Sequence, residues 1–246
     1  MTPTFILASG SPRRRELIRL LGLPFEIRPV DVDENSAADS DPITHVRQIA
    51  ELKARVVADV AQAAGLRLYR DGERQVAGGR AKIQNPKSKI QNAVIVAADT
   101  AVALDGKTFG KPADAEEARR MLRQLRGRVH QVHTGLAVIH TASGRLLTDV
   151  ATVDVPMRNY SDVEIEDYVA TGDPMDKAGA YAIQHASFRP VVGLAGCYAG
   201  VMGLPLCHLA RALRRLGVTV PVDVAAGCMA HNQYDCPVYA SILTAL

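Results

Sequence analysis

Phe5-Ile6-Leu7-Ala8-Ser9-Gly10-Ser11-Pro12-Arg13-Arg14-Arg15-Glu16-Leu17 is the stretch that decides how this chain is built. Phe5 to Ala8 reads as an apolar strand, Gly10 as a turn and Ser11 as a helix N-cap. Pro12 takes the first helical position, where its missing N–H does no harm. Three arginines then fill the first helical turn. Unpaired N–H groups already concentrate positive charge there, and each added cation is disfavoured by about 0.3–1 kcal/mol. An anion held among those N–H groups and guanidinium forks reverses the sign, so the turn is a candidate phosphate site, with a solvated basic helix end as the alternative.

Outward from this strand–turn–helix, the bounds are those of an ordinary globular protein: 246 residues, 48% hydrophobic and 22% charged, enough for one large or two small domains. Apolar runs such as Ala93 to Ala98 are too short to cross a bilayer, and the N-terminus lacks a basic region followed by a long apolar one. A cytoplasmic protein with no membrane partner is the expectation. Cys197, Cys207, Cys228 and Cys236 are too sparse for a disulfide framework and read as reduced thiols. The net charge of +3 is local: residues 70–92 carry six Lys or Arg against Asp71 and Glu73, so the remainder is slightly acidic. Global basicity therefore does not argue for a nucleic-acid partner.

The first helix stops at Gly22, and Pro24 to Val30 reads as a second strand ending in Asp31-Val32-Asp33-Glu34, a carboxylate cluster suited to a divalent cation or simply to solvent. Asp41-Pro42 opens a helix to about Ala64 with an apolar seam at Val46, Ile49, Val56 and Val60. Lys53 falls inside that seam, so its stem crosses buried surface. It either snorkels at the seam edge or reaches a phosphate in a cleft. Residues 70–92 contain Lys82-Ile83-Gln84-Asn85-Pro86-Lys87-Ser88 and then Lys89-Ile90-Gln91-Asn92, a partial repeat that predicts a disordered surface insertion.

Ala93 to Thr100 is a continuous apolar run that ends in an acid, as in a strand buried on both faces. Ligand crevices of open α/β sheets lie at strand carboxyl ends, which places Asp99 at the mouth of a site unless it is only a turn residue. A hairpin at Asp105-Gly106 leads to Gly110-Lys111-Pro112. Asp114 with Glu117, and Ser161 with Glu164, form capping-box patterns. Val129–His140 and Leu146–Pro156 read as paired strands; His130 and His133, three residues apart, face opposite sides and read as structural or exposed rather than metal ligands. Asp176 to Gln184 is a tight Ala-Gly-Ala stretch between polar groups. The last clear helix is Cys207 to Leu216, with arginines in its C-terminal half. In the tail, Cys228, His231 and Cys236 lack a paired Cys-x-x-Cys spacing, and zinc would need distant Cys207 or His208 as a fourth ligand.

Ser9 to Arg14, Asp31 to Glu34, Ala98-Asp99-Thr100, Gly110-Lys111-Pro112, Thr134-Gly135, Asp176 to Gln184 and Gly203 to Leu206 together resemble, in order, the motifs of the Maf family of nucleoside triphosphate pyrophosphatases. The resemblance runs from about residue 4 to 217, interrupted at 70–92, and implies a domain over residues 1–217 with 218–246 as an extension of unknown role. It implies an α/β fold, an elongated mixed sheet with helices on both sides and two lobes around a central cleft, and often a homodimer. It implies hydrolysis of a nucleoside triphosphate to monophosphate and pyrophosphate with magnesium or manganese. Asp99, Lys53 and Glu34 take the catalytic roles, Glu34 with Asp99 holding the metal. Substrate contacts fall to Ser9, Ser11, Arg13, Arg14, Thr100, Lys111 and Gln184. Arg13, Thr100 and Gln184 resemble the dTTP/UTP group rather than the 7-methyl-GTP group; a sugar-phosphate nucleotidyltransferase and a nucleotide-binding regulator of septum formation are the other readings. His185, where glycine is common, departs from the pattern. Removing Arg13 or Lys53 is expected to weaken catalysis with little loss of fold.

Overall fold

A computed structural model describes residues 3–33, 41–63, 73–76, 79–83 and 92–245. In chain order the elements are β1 (Thr4–Leu7), α1 (Pro12–Arg19), β2 (Phe25–Ile27), β3 (Val30–Asp31), α2 (Pro42–Ala63), β4 (Glu73–Val76), β5 (Gly79–Ile83), β6 (Ala93–Leu104) and β7 (Lys107–Phe109). Then come α3 (Ala115–Leu125), β8 (Val129–His140), β9 (Arg145–Pro156), α4 (Asp162–Ala170), α5 (Tyr198–Met202), α6 (Leu206–Arg215), α7 (Val224–Asn232) and α8 (Tyr239–Thr244). The main sheet has the order β2-β1-β6-β8-β9, with β7 folded back on β6. β1 pairs in parallel with β2 and β6, and β6, β8 and β9 are antiparallel, so the sheet is mixed and lies between helices.

Both faces of the central strands are covered, which is why they read as unbroken apolar runs. Ile6, Ala8, Ile95 and Ala97 point to one side and meet α2; Phe5, Leu7, Val94 and Val96 point to the other and meet Leu17 and Ile18 of α1 with Leu209 and Leu213 of α6. The sheet-facing stripe of α2 is Ala50, Ala54, Val57, Ala58 and Ala61, whereas two residues of the anticipated seam, Ile49 and Val56, pack beside it on Val32. Alanines were the better guide to the sheet, because small side chains let a helix approach the strands closely.

Several boundaries differ from expectation for identifiable reasons. Pro24 to Val30 is not one strand: β2 pairs with β1, and β3 turns away to pair with β5. β4 and β5 form an antiparallel pair that β3 joins, so the expected disorder of residues 70–92 does not hold for residues 73–76 and 79–83; 70–72, 77–78 and 84–91 lie outside the described residues. Among the described residues this second sheet shares no ladder with the main one. Deleting Gly72 to Lys89 is therefore expected to leave the Tm and kcat nearly unchanged. A large rise in KM would instead show that β5 steadies β3 and, through it, substrate.

Asp105 (φ 52°) and Gly106 (φ 74°) make the expected hairpin turn between β6 and β7. α4 carries the full capping box. In α3, Asp114 caps as anticipated, but the Glu117 carboxylate accepts from Ala113 N instead of from the cap's own N–H. Residues after Gly217 add two helices on α6: Arg211 donates to Ile242 O at 3.0 Å and Arg214 to Leu243 O at 2.7 Å. The arginines read as complementing the end of their own helix thus serve the last carbonyls of α8. Among the described residues no helix is long and apolar enough to cross a membrane.

Candidate active site

Parallel pairing of β1 with β6 ends at Leu7 opposite Val96, and Ala8 N makes the last bond to Val96 O at 2.8 Å. β1 then turns through Ser9-Gly10 into α1, while β6 continues along β8 to Ala103. Asp99 is therefore mid-strand and does not close the strand as its sequence suggested. It still lies at an opening, because its parallel neighbour has just left the sheet. A cleft of about 580 Å³ occupies that opening.

Ser9, Ser11, Arg13 and Arg14 line the cleft from the β1–α1 turn; Lys53 from α2; Asp99 and Thr100 from β6; Lys111 from the loop after β7; Gln184 from its rim. Glu34 lies outside the described residues. Five cations (Arg13, Arg14, Lys53, Lys111 and Lys177) face three carboxylates (Asp31, Asp99 and Asp176), an excess suited to a polyanion.

Lys53 Nζ donates to Asp99 Oδ1 at 2.7 Å, and each side chain is 11% exposed. The helix can bring the lysine there because of one glycine. Gly135 of β8 is the register partner of Asp99, and a Cβ on it would stand 2.2 Å from Val46 O in α2. Val46 and Lys53 are seven residues apart, hence on one helix face. Close approach at Gly135 thus sets the height of Lys53 above the sheet. This pairing corrects the expectation that Lys53 is removable with little loss of fold, because Lys53→Met leaves a mostly buried carboxylate without its cation.

The three arginines divide their work. Arg14 is held by Gly203 O at 2.8 Å, Thr100 Oγ1 at 3.1 Å and Ser9 Oγ at 3.4 Å. Thr100 in turn meets Thr134 Oγ1 at 3.0 Å, which donates to Gly200 O at 2.8 Å. This chain of bonds ties the α1 N-terminus to β6, β8 and α5. Arg15 folds back to Gly10 O. Arg13 makes a 3.7 Å ion pair with Asp176, whose side chain is 62% exposed, so solvent screens the pair.

Sequence reading placed Asp31 in a carboxylate cluster suited to a divalent cation and gave no individual role to Lys177 or Tyr181; all three line the cleft. Lys177 is buried and paired with Asp173 and Asp176 at 2.9 and 2.6 Å. A Cβ on Gly179 (φ 70°) would stand 3.0 Å from Val102 Cγ1, so only glycine lets the adjoining turn lie this close, and its N–H donates to Gly110 O, which joins this turn to the Lys111 loop. The tight Ala-Gly-Ala spacing was the available signal. His185 accepts from Phe188 N at 3.1 Å and packs edge-on to Tyr168, so the departure at this position has a local structural task.

His130 and His133 are buried, the first bonded to Tyr181 OH at 2.9 Å and the second to Thr152 Oγ1 at 3.0 Å, so both are structural. Burial pushes the His130 imidazole down to about 4. As pH falls from about 6.5 to 4 the unfolded chain binds a proton that the folded chain refuses, and stability falls by roughly 3 kcal/mol, with no further loss from this group below pH 4. Thermal melts of the wild type and His130→Gln between pH 7 and 4 should show the wild type losing more. Parallel losses would mean that the ring is protonated freely in the fold.

Residues 4–216 match the family model described as "Maf-like protein". The chain is 42% identical over 223 residues to a dTTP/UTP pyrophosphatase of Anaeromyxobacter dehalogenans, covering 90% of this chain and 98% of the relative. It is 40% identical over 215 residues to the dTTP/UTP pyrophosphatase of Pelotomaculum thermopropionicum, covering 87% and 97%. With that of Dictyoglomus thermophilum the identity is 38% over 221 residues, covering 89% and 100%.

Proposed function

The chain belongs to the Maf family, and from that premise we propose that it hydrolyses dTTP and UTP to the monophosphate and pyrophosphate in the cleft beside β6. It is a nucleoside triphosphate pyrophosphatase. The shared name of the relatives favours pyrimidine triphosphates over the 7-methyl-GTP, nucleotidyltransferase and regulator readings. The observation that carries the reading at the site is the Lys53–Asp99 pair standing in one cleft with an arginine-bearing helix N-terminus and Lys111.

Arg13 and Lys111 receive the triphosphate, whose charge offsets theirs and the helix dipole. Ser9, Ser11 and the pinned Arg14 shape the phosphate wall, and Thr100 holds Arg14 in place. Lys53 fixes Asp99, which takes the proton of a water whose oxygen bonds to the α-phosphorus as the bridge to the β-phosphate breaks. Pyrophosphate departs among the cations. Gln184, exposed at the rim, offers an amide donor and acceptor to the pyrimidine edge.

Among the described residues no three His, Cys, Asp or Glu side chains form a preset metal centre. Asp31 and Asp99 nevertheless bring hard oxygen donors to the cleft, which fits magnesium or manganese, ions that bind through one or two carboxylates and complete their shell with phosphate and water. We assign the ion to Asp99 with Glu34. When bound, it neutralises phosphate charge and polarises the phosphoryl oxygens.

Pyrophosphate release from dTTP, UTP, CTP, GTP and 7-methyl-GTP, each with magnesium, tests the proposal. Turnover of dTTP and UTP well above the purines is expected. A preference for 7-methyl-GTP would overturn the substrate assignment. Arg13→Ala should raise KM for dTTP about 10-fold or more, the scale of a lost charge-assisted contact of about 1.5–3 kcal/mol, with the melting temperature unmoved.

A further inference from the structure

The four cysteines come from distant parts of the fold: Cys197 is the N-cap of α5, Cys207 lies in the first turn of α6, Cys228 in α7, and Cys236 in the loop before α8. They are all the cysteines in the chain, and all four line one cavity of about 10 Å³, separate from the nucleotide cleft. None is in a disulfide. Their neighbours there are mostly apolar, among them Ala199, Leu206 and Met229. Two N–H groups also lie near sulfur: Gly200 N donates to Cys197 Sγ at 3.3 Å as the cap of α5, and Asn232 Nδ2, which donates to Cys228 O at 2.7 Å, lies 3.4 Å from Cys228 Sγ.

A second observation concerns the tail itself. Beyond Gly217, Val224 and Ala225 are the buried hydrophobic residues among those described, and α8 buries none. Two helices with so little core of their own are of the kind that proteins fasten with disulfides or a metal. Cys228 and Cys236 stand on the tail, and Cys197 and Cys207 on the body to which it is applied.

We propose that Cys197, Cys207, Cys228 and Cys236 form a thiolate site for a soft divalent cation, Zn²⁺, which fastens the C-terminal helices to the body of the protein. Four sulfurs with no open position describe a structural zinc site, and sulfur selects such an ion over the hard cation suited to the oxygen-lined cleft. The thiols are not already at ligand spacing, since no preset metal centre is found among the described residues; binding draws the sulfurs together across the small cavity and releases their protons. The two histidines of the sequence pattern are engaged elsewhere: His231 with Glu16 at 3.5 Å and His208 with Asp149 at 3.0 Å.

The test uses the full chain, purified without chelator and equilibrated with micromolar Zn²⁺, then with Co²⁺ in its place. About one Zn²⁺ per chain is expected, and the cobalt form should show the intense thiolate-to-metal absorption of a tetrahedral sulfur site. Cys228→Ser/Cys236→Ser should lose both, and its melting temperature should fall by roughly 5 °C or more. Asp99→Asn should keep the zinc, which separates this site from the nucleotide cleft. The proposal is overturned by absence of tight Zn²⁺ binding in a protein with four free thiols, by zinc that persists in the double variant, or by disulfides among the four cysteines. If the double variant does not fold, the cobalt spectrum of the wild type decides alone.

Discussion

Asp99→Asn is expected to lower turnover by at least about 100-fold, the scale for loss of a general base or of its metal. Asparagine keeps the shape of aspartate and an oxygen that can accept from Lys53, whose Nζ now lies 2.7 Å from Asp99 Oδ1. What it lacks is the negative charge and the ability to take a proton. The lysine then loses the charge of its Asp99 partner on the wall of an already cationic cleft, so some stability goes with it, though less than for a wholly buried pair because Lys53 opens toward the cleft. Steady-state rates of pyrophosphate release, with circular dichroism and melting curves as the control on folding, decide the matter. Near wild-type turnover in a folded Asp99→Asn protein would remove Asp99 from the mechanism.

Gly135→Ala should be the most damaging single-methyl change at the site. The added Cβ would lie 2.2 Å from Val46 O, 2.4 Å from Val46 C and 2.8 Å from Arg47 N. All three are backbone atoms, so no rotamer change relieves the overlap and α2 must move bodily. A loss of about 3 kcal/mol or more is expected, at the upper end for overpacking. Function should suffer beyond stability, because lifting α2 at Val46 also lifts Lys53 two turns later, away from Asp99. The readout is kcat measured well below the melting temperature. A variant with normal kcat and normal stability would show that the contact between α2 and β8 yields easily.

Sequence alone determined the elements whose causes are local. Ser11 before Pro12 and Ser161 with Glu164 are caps because a hydroxyl meets N–H groups two or three residues on. The hairpin at Asp105-Gly106 follows from residues that tolerate positive φ. The acid at the end of an apolar run and the lysine inside a helical seam were legible as chemistry, since each breaks a pattern. Family motifs then joined them into one reaction.

Tertiary structure decided what depends on residues that are far apart in the chain. Lys53 and Asp99 are 46 residues apart, and only the packing of α2 on the sheet makes them partners. β6 runs on past Asp99 because β8 continues to pair with it after β1 has turned away, a fact set by its neighbours and not by its own composition. Gly135 could be read as a flexible residue, but its need for an absent Cβ comes from a helix almost ninety residues earlier. Four cysteines too sparse to suggest a framework converge on one cavity, because α5, α6, α7 and the loop before α8 pack around it. Local sequence specifies backbone conformation through caps, turns and periodicity; which distant side chains meet is set when apolar faces are buried together, and the Lys53–Asp99 pair and the convergence of the four cysteines both belong to that second step.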